Sequence, residues 1–247
     1  MSLKTGRNFL KINVLLRGLF FNNLNLESKM VNYSLVIIAL ILTSCVNNQS
    51  SNTTIDVERK ATEIERNNVP TSQNFEDKLS EAAVSLTKDK VQYDPAYFSI
   101  KYPNGDVPEG KGVCTDVVIR AYRKLGIDLQ KEVHLDMKDH FKTYPKTWNL
   151  KKTDTNIDHR RVPNLMTFFT RKGEKKVATS DPKDYHYGDI VTWNVGGSLP
   201  HIGILINRKS EDRKRYLVVH NIGNGQEISD CLFAYTLTGH FVYRGDK

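Results

Sequence analysis

The sequence predicts an α+β fold in which helices packed early in the chain cover an antiparallel sheet formed late. Two observations carry that expectation. Apolar residues recur at helical spacing in two segments before residue 126. The last third instead holds β-branched and aromatic runs, Asp189–Trp193, His201–Ile206, Tyr216–Ile222 and His240–Arg244. Short separators such as Gly196-Gly197-Ser198 and Gly223-Asn224-Gly225 lie between these runs, so consecutive strands pair antiparallel.

In chain order, residues 1–45 read as an export segment. An apolar run follows Ser34 and ends at Leu42, then Thr43-Ser44-Cys45. The run is too short to span a bilayer and suits the apolar region of a signal peptide. Leu42-Thr43-Ser44-Cys45 resembles a bacterial lipobox, whose cysteine is lipidated and becomes the first residue of the mature protein. Met30 is an alternative start. The formal charge of +8 is no nucleic-acid signature, because Lys4, Arg7, Lys11, Arg17 and Lys29 against Glu27 supply half of it before Cys45. No nucleic-acid partner is expected.

Residues 46–73 are polar, lack periodicity and read as a tether. The folded domain is expected over 74–247. It opens with an amphipathic helix marked by Phe75, Leu79, Ala82, Ala83 and Leu86. A turn-rich aromatic loop over 91–111 leads into Gly112-Val113-Cys114-Thr115-Asp116. Val117, Val118, Ala121 and Leu125 then form the buried stripe of a second helix, which Gly126 ends. The segment 127–165 reads as irregular or briefly helical and carries His134, Asp136, His140, Trp148, Asp158, His159, Arg160 and Arg161.

Cys114 thus falls at a helix start, where free N–H groups and the helix dipole favour a thiolate. A cysteine nucleophile needs a base and a third polar group to orient that base. His201 opens a strand and shares its face with Gly203, which leaves space beside the imidazole. On the next strand His220 and Asn221 point to opposite faces, and either could be the third group. Cys231 is expected to be a packing residue. The three cysteines are far apart and make neither a disulfide framework nor a zinc site, and no metal or other cofactor is expected.

Gly-Val-Cys114-Thr-Asp, Tyr187-Gly-Asp-Ile-Val-Thr-Trp193, His201-Ile-Gly-Ile and Val-Val-His220, in that order, resemble the NlpC/P60 superfamily of papain-like peptidoglycan hydrolases. Gly-Val-Cys-Thr-Asp, Asn156-Ile-Asp-His-Arg-Arg-Val-Pro-Asn-Leu165 and Val-His-Asn-Ile-Gly223 resemble the DUF1287 family more closely. The resemblance implies Cys114 as nucleophile, His201 as base and then acid, and His220 as its orienting partner, with Asn221 as the rival. It implies Tyr93 and the Cys114 N–H as oxyanion donors, and Asp116, His159 and Arg160 as substrate contacts. It also departs from the superfamily, whose usual Asp-Cys-Ser-Gly is here Val113-Cys114-Thr115-Asp116. The expectation is a membrane-anchored envelope lipoprotein, periplasmic or at the cell surface, that cleaves amide bonds in peptidoglycan stem peptides. The rivals are a peptide- or glycan-binding lipoprotein and an acyltransferase using the same Cys-His site.

Overall fold

A computed structural model describes residues 73–245. The export segment, Cys45 and almost all of the tether lie outside them. Helix α1, Phe75–Leu86, starts where Asn74 accepts the backbone N–H of Asp77 at 2.7 Å, a cap that satisfies one of the four open donors of the first turn. The two-residue strands β1, Gln92–Tyr93, and β2, Lys111–Gly112, pair in parallel and bring Tyr93 beside Gly112. Helix α2 runs from Cys114 to Lys124 and gives way to Gly126 at φ 83°, a left-handed conformation that favours glycine.

The segment after Gly126 is more ordered than the sequence suggested. Helix α3, Leu129–Asp139, buries Leu129, Val133 and Met137, which stand one turn apart on a single stripe. A short 3₁₀ turn, Asp158–Arg160, leads into α4, Val162–Lys172, whose Pro163 occupies the first turn, where its missing N–H costs nothing.

Strands β3 (Glu174–Lys176), β4 (Ile190–Val195), β5 (Leu199–Lys209), β6 (Tyr216–His220), β7 (Glu227–Ser229) and β8 (Thr236–Val242) form one sheet in the order β3-β8-β4-β5-β6-β7. Every neighbouring pair is antiparallel, so the fold is α+β. Both faces of the sheet are covered. Ile190, Ile202, Ile204, Ile206, Val219 and Phe241 meet Leu79, Val117, Val118, Leu165 and Phe169 of the helices. On the opposite face Val191, Trp193, Leu205 and Val218 pack with Tyr185, Cys231 and Leu232. Alternation along β5 therefore puts His201 on the second face and Ile202 on the helix face.

Among the described residues no helix is long and apolar enough to cross a membrane.

Candidate active site

Cys114 is the first residue of α2, and its sulfur is close enough to the backbone N–H of Ile202 for that dipole to lower its pKa. Ile202 is the neighbour of His201 in β5, so the thiol lies at the strand end that carries the imidazole. The helix does not cover the His201 face of the sheet. It meets the strand from the Ile202 side, and no hydrogen bond joins the Cys114 thiol to His201 among the described residues.

His201 Nε2 and His220 Nδ1 are 2.9 Å apart, with the rings nearly perpendicular at 80°. Trp193, opposite His201 in the β4–β5 ladder, flanks the ring at 5.8 Å between centroids. Gly203 makes the histidine pair possible. A Cβ at 203 would stand 2.6 Å from Val218 Cγ1 and 3.2 Å from His220 Cβ, so any larger residue pushes β6 away. With Nε2 engaged, Nδ1 is the remaining nitrogen of His201 for proton exchange.

Asn221, the rival third group, turns elsewhere. Its amide nitrogen points at the Gly112 carbonyl at 3.5 Å, and its side-chain oxygen accepts the Gly223 N–H at 3.1 Å. It ties the end of β6 to the segment that enters α2.

Burial dominates the electrostatics. Cys114 is 5% exposed, His201 4% and His220 1%. Burial pushes the Cys114 thiol up to about 12, and the Asp116 charge adds to this, while N–H groups of Ile202, Thr115 and Cys114 oppose it. The thiolate expected from the helix start is thus not the resting form. A helix N-terminus supplies about 0.3–1 kcal/mol, less than burying a thiolate costs. Burial likewise holds His201 down to about 3, with His220 adding to the effect, and His220 to about 4. The closed site holds a neutral thiol and two neutral imidazoles.

Tyr93 is half-buried and close enough to Cys114 and Asp116 for both to raise its phenol pKa, after burial, the main cause. Asp116 and Arg160, expected as substrate contacts, bind each other. Arg160 Nε and Nη2 bind the two Asp116 oxygens at 2.9 and 3.0 Å, and the side chains are only 2% and 3% exposed. Asp116 Oδ2 also accepts the Val113 N–H at 2.7 Å, capping α2. Arg160 Nη1 donates to the Ala96 carbonyl. These groups spend their hydrogen bonds on one another, holding the entry to α2. His159 is 2% exposed and held down to about 3, chiefly by burial and then by Arg160. It too is sealed from a ligand in this conformation.

Elsewhere in 127–165, Asp136 binds Tyr144 and Arg171, and Trp148 stacks under Arg161 at 4.3 Å. Those residues serve packing between α3, α4 and their connection. Among the described residues no three His, Cys, Asp or Glu side chains come together as metal ligands. A cavity of about 820 Å³ opens among Leu86, Lys90, Val107, Glu109 and Arg123, away from Cys114 and His201.

Two neighbours of His220 escaped the sequence reading. Ser229 Oγ lies 2.6 Å from His220 Nε2, and Cys231 Sγ lies 3.6 Å from the same nitrogen. Cys231 packs with Trp193 and Leu232 as expected, but it also touches the histidine pair. Ser229 sits in a strand of three residues, too short for an alternating pattern to show.

Comparison with known proteins places the chain in a family. The family model described as "Domain of unknown function (DUF1287)" matches residues 80–243. The uncharacterized protein YijF of Escherichia coli (strain K12) is 50% identical over 151 residues, 61% of this chain and 73% of that protein. Among solved structures, NlpC1 from Trichomonas vaginalis aligns at a TM-score of 0.37 with 13% identity. That alignment covers 71% of this chain and spans 46%, less than half, of the other. On the family match, which takes in Cys114, His201, His220 and Ser229 together, the chain belongs to the DUF1287 family.

Proposed function

We propose that the protein is a papain-like cysteine hydrolase of the NlpC/P60 type that cleaves amide bonds in peptidoglycan stem peptides. The observation that carries this reading is the His201–His220 hydrogen bond, on the strand whose Ile202 packs with Cys114. The order of parts supports it: a cysteine at a helix start, a Gly-Asp strand, a strand-opening histidine followed by Ile-Gly, and a histidine one strand later.

In the proposed reaction His201 Nδ1 takes the thiol proton as Sγ attacks the scissile carbonyl. Both groups rest neutral, so proton transfer accompanies bond formation rather than preceding it. The Cys114 backbone N–H and the Tyr93 hydroxyl face the developing oxyanion. His201 returns the proton to the departing amine, leaving a thioester. Water, deprotonated by the same nitrogen, then attacks the thioester, and the thiol is reprotonated as the acid leaves. His220 holds His201 in the required tautomer.

Residues 1–45 export the chain and Cys45 carries the lipid, so the domain over 74–247 works on the envelope side of the membrane, tethered by 46–73.

Incubating the full chain with purified muropeptides, followed by mass spectrometry, tests the reading. Cleaved stem peptides are expected, abolished in Cys114→Ala. Turnover in His220→Ala is expected to fall more than about tenfold, a barrier change above ~1.4 kcal/mol. Asn221→Ala should be milder at matched melting temperature. Muropeptide bound without any new product would sink the hydrolase and leave a binding module.

A further inference from the structure

We infer that Ser229 is a positioning residue for the histidine pair: its hydroxyl accepts the Nε2–H of His220 and thereby fixes the tautomer that lets His201 act as a base. The inference rests on the proposed hydrolase reading for its catalytic meaning, while its geometry stands on the contacts themselves.

His220 is buried and neutral at pH 7, so its ring carries one proton. Its two nitrogens are both occupied, Nδ1 by His201 Nε2 at 2.9 Å and Nε2 by Ser229 Oγ at 2.6 Å. Only two arrangements satisfy this chain. In the first, Ser229 donates to His220 Nε2, His220 Nδ1–H donates to His201 Nε2, and the proton of His201 is forced onto Nδ1. That tautomer has no lone pair for the thiol proton. In the second, His201 Nε2–H donates to His220 Nδ1, and His220 Nε2–H donates to Ser229. His201 Nδ1 is then bare, as the proposed base for the Cys114 thiol must be.

The surroundings of His220 select the second arrangement. The Ser229 hydroxyl oxygen carries lone pairs that can accept an N–H. Glu227 Oε1 lies 3.9 Å from His220 Nε2, and a carboxylate at that position favours an N–H pointing toward it over a lone pair. Cys231 Sγ, at 3.6 Å, is a weak acceptor on the same side. His201 from β5, Glu227 and Ser229 from β7, and Cys231 just beyond it therefore all fit a proton on Nε2. Strand β7 is short, but its pairing with β6 sets His220 opposite Glu227 and carries Ser229 to the ring.

The test needs no substrate. The full chain is labelled with ¹⁵N-histidine and its ring nitrogens are read by NMR at pH 7, the His220 signals being assigned by their loss in His220→Gln. The expected result is His220 protonated at Nε2 with Nδ1 bare. Ser229→Ala should mix the two tautomers, and Ser229→Thr, which keeps the hydroxyl, should restore one. In parallel, alkylation of Cys114 by iodoacetamide, located by peptide mapping, should slow by about twofold to tenfold in Ser229→Ala, the worth of one neutral hydrogen bond. It should recover in Ser229→Thr. A wild-type His220 protonated at Nδ1 overturns the inference even if Ser229→Ala does not fold. So does a Ser229→Ala protein with unchanged tautomer and unchanged alkylation. If muropeptides are not cleaved while both readouts behave as expected, the substrate assignment fails and the relay stands. Cleavage with either overturning result sinks Ser229 and leaves the hydrolase.

Discussion

At the scale of single residues, three buried histidines make this protein acid-sensitive. His159 and His201 are held down to about 3 and His220 to about 4, in each case mainly by burial. The unfolded chain binds these protons near pH 6.5. The native chain refuses them until far lower pH, so the stability due to the neutral rings is complete above about pH 6.5 and is lost as pH falls toward 4 and then 3. Each ring contributes a slope of up to ~1.4 kcal/mol per pH unit inside that window. Asp158, raised to about 6 by burial, works in the opposite sense, but it is one group against three. Thermal melts are expected to show Tm falling steadily from pH 7 to pH 4, with a shallower fall in His159→Phe. A flat profile over that range would mean these rings protonate in the native state. Residue types and spacing singled out Cys114 and His201 and left His220 and Asn221 as rivals, between which only the family resemblance chose. Their protonation was not legible, because it depends on how much water the folded chain removes from each group.

At the scale of elements, the Asp116–Arg160 pair clamps the first turn of α2 to the Asp158–Arg160 turn, and Thr115 adds a hydrogen bond to the Arg160 carbonyl at 3.2 Å. Removing one partner of a buried ion pair leaves the other charge unpaired, at a cost of about 3–5 kcal/mol. Arg160→Met is therefore expected to lower unfolding stability by that order in urea titration. The double variant Arg160→Met/Asp116→Leu should recover part of the loss, since no buried charge remains. A change below ~1 kcal/mol in the single variant would show that the pair does not hold the helix entry. The amphipathic helices α1 and α2 were readable from period, and β4, β5 and β6 from their β-branched and aromatic runs. The last strand was expected at His240–Arg244 and runs instead over Thr236–Val242. Strands β1, β2, β3 and β7 were not readable, because two or three residues contain no period. Yet β1 and β7 deliver Tyr93 and Ser229. Helix α3 did carry a readable stripe in Leu129, Val133 and Met137, masked by the dense charged residues around it.

At the scale of the whole molecule, the proposal joins a folded domain to an anchor that lies outside the described residues. If Cys45 is lipidated, Cys45→Ser should move the protein from the membrane fraction to the soluble one, with the melting temperature of the domain unchanged. A mature protein still carrying residues 30–44 would sink the anchor. One acyl chain holds only marginally, so more than one is expected on Cys45. The sequence by itself determined the α+β class, the helix start at Cys114 and the strands bearing the two histidines. Local periodicity and glycine placement are properties of neighbours along the chain, and they survive without a fold. Tertiary structure alone decided which sheet face meets the helices, since both faces of β5 and β6 are apolar and packing on either would satisfy the pattern. That choice put His220 against His201 and turned Asn221 toward Gly112. It also brought Asp116 to Arg160 across 44 residues and Ser229 to His220 across a strand pair. Contacts of that kind depend on distances the chain acquires only on folding, and they fix both the proton positions and the burial on which the proposed chemistry rests.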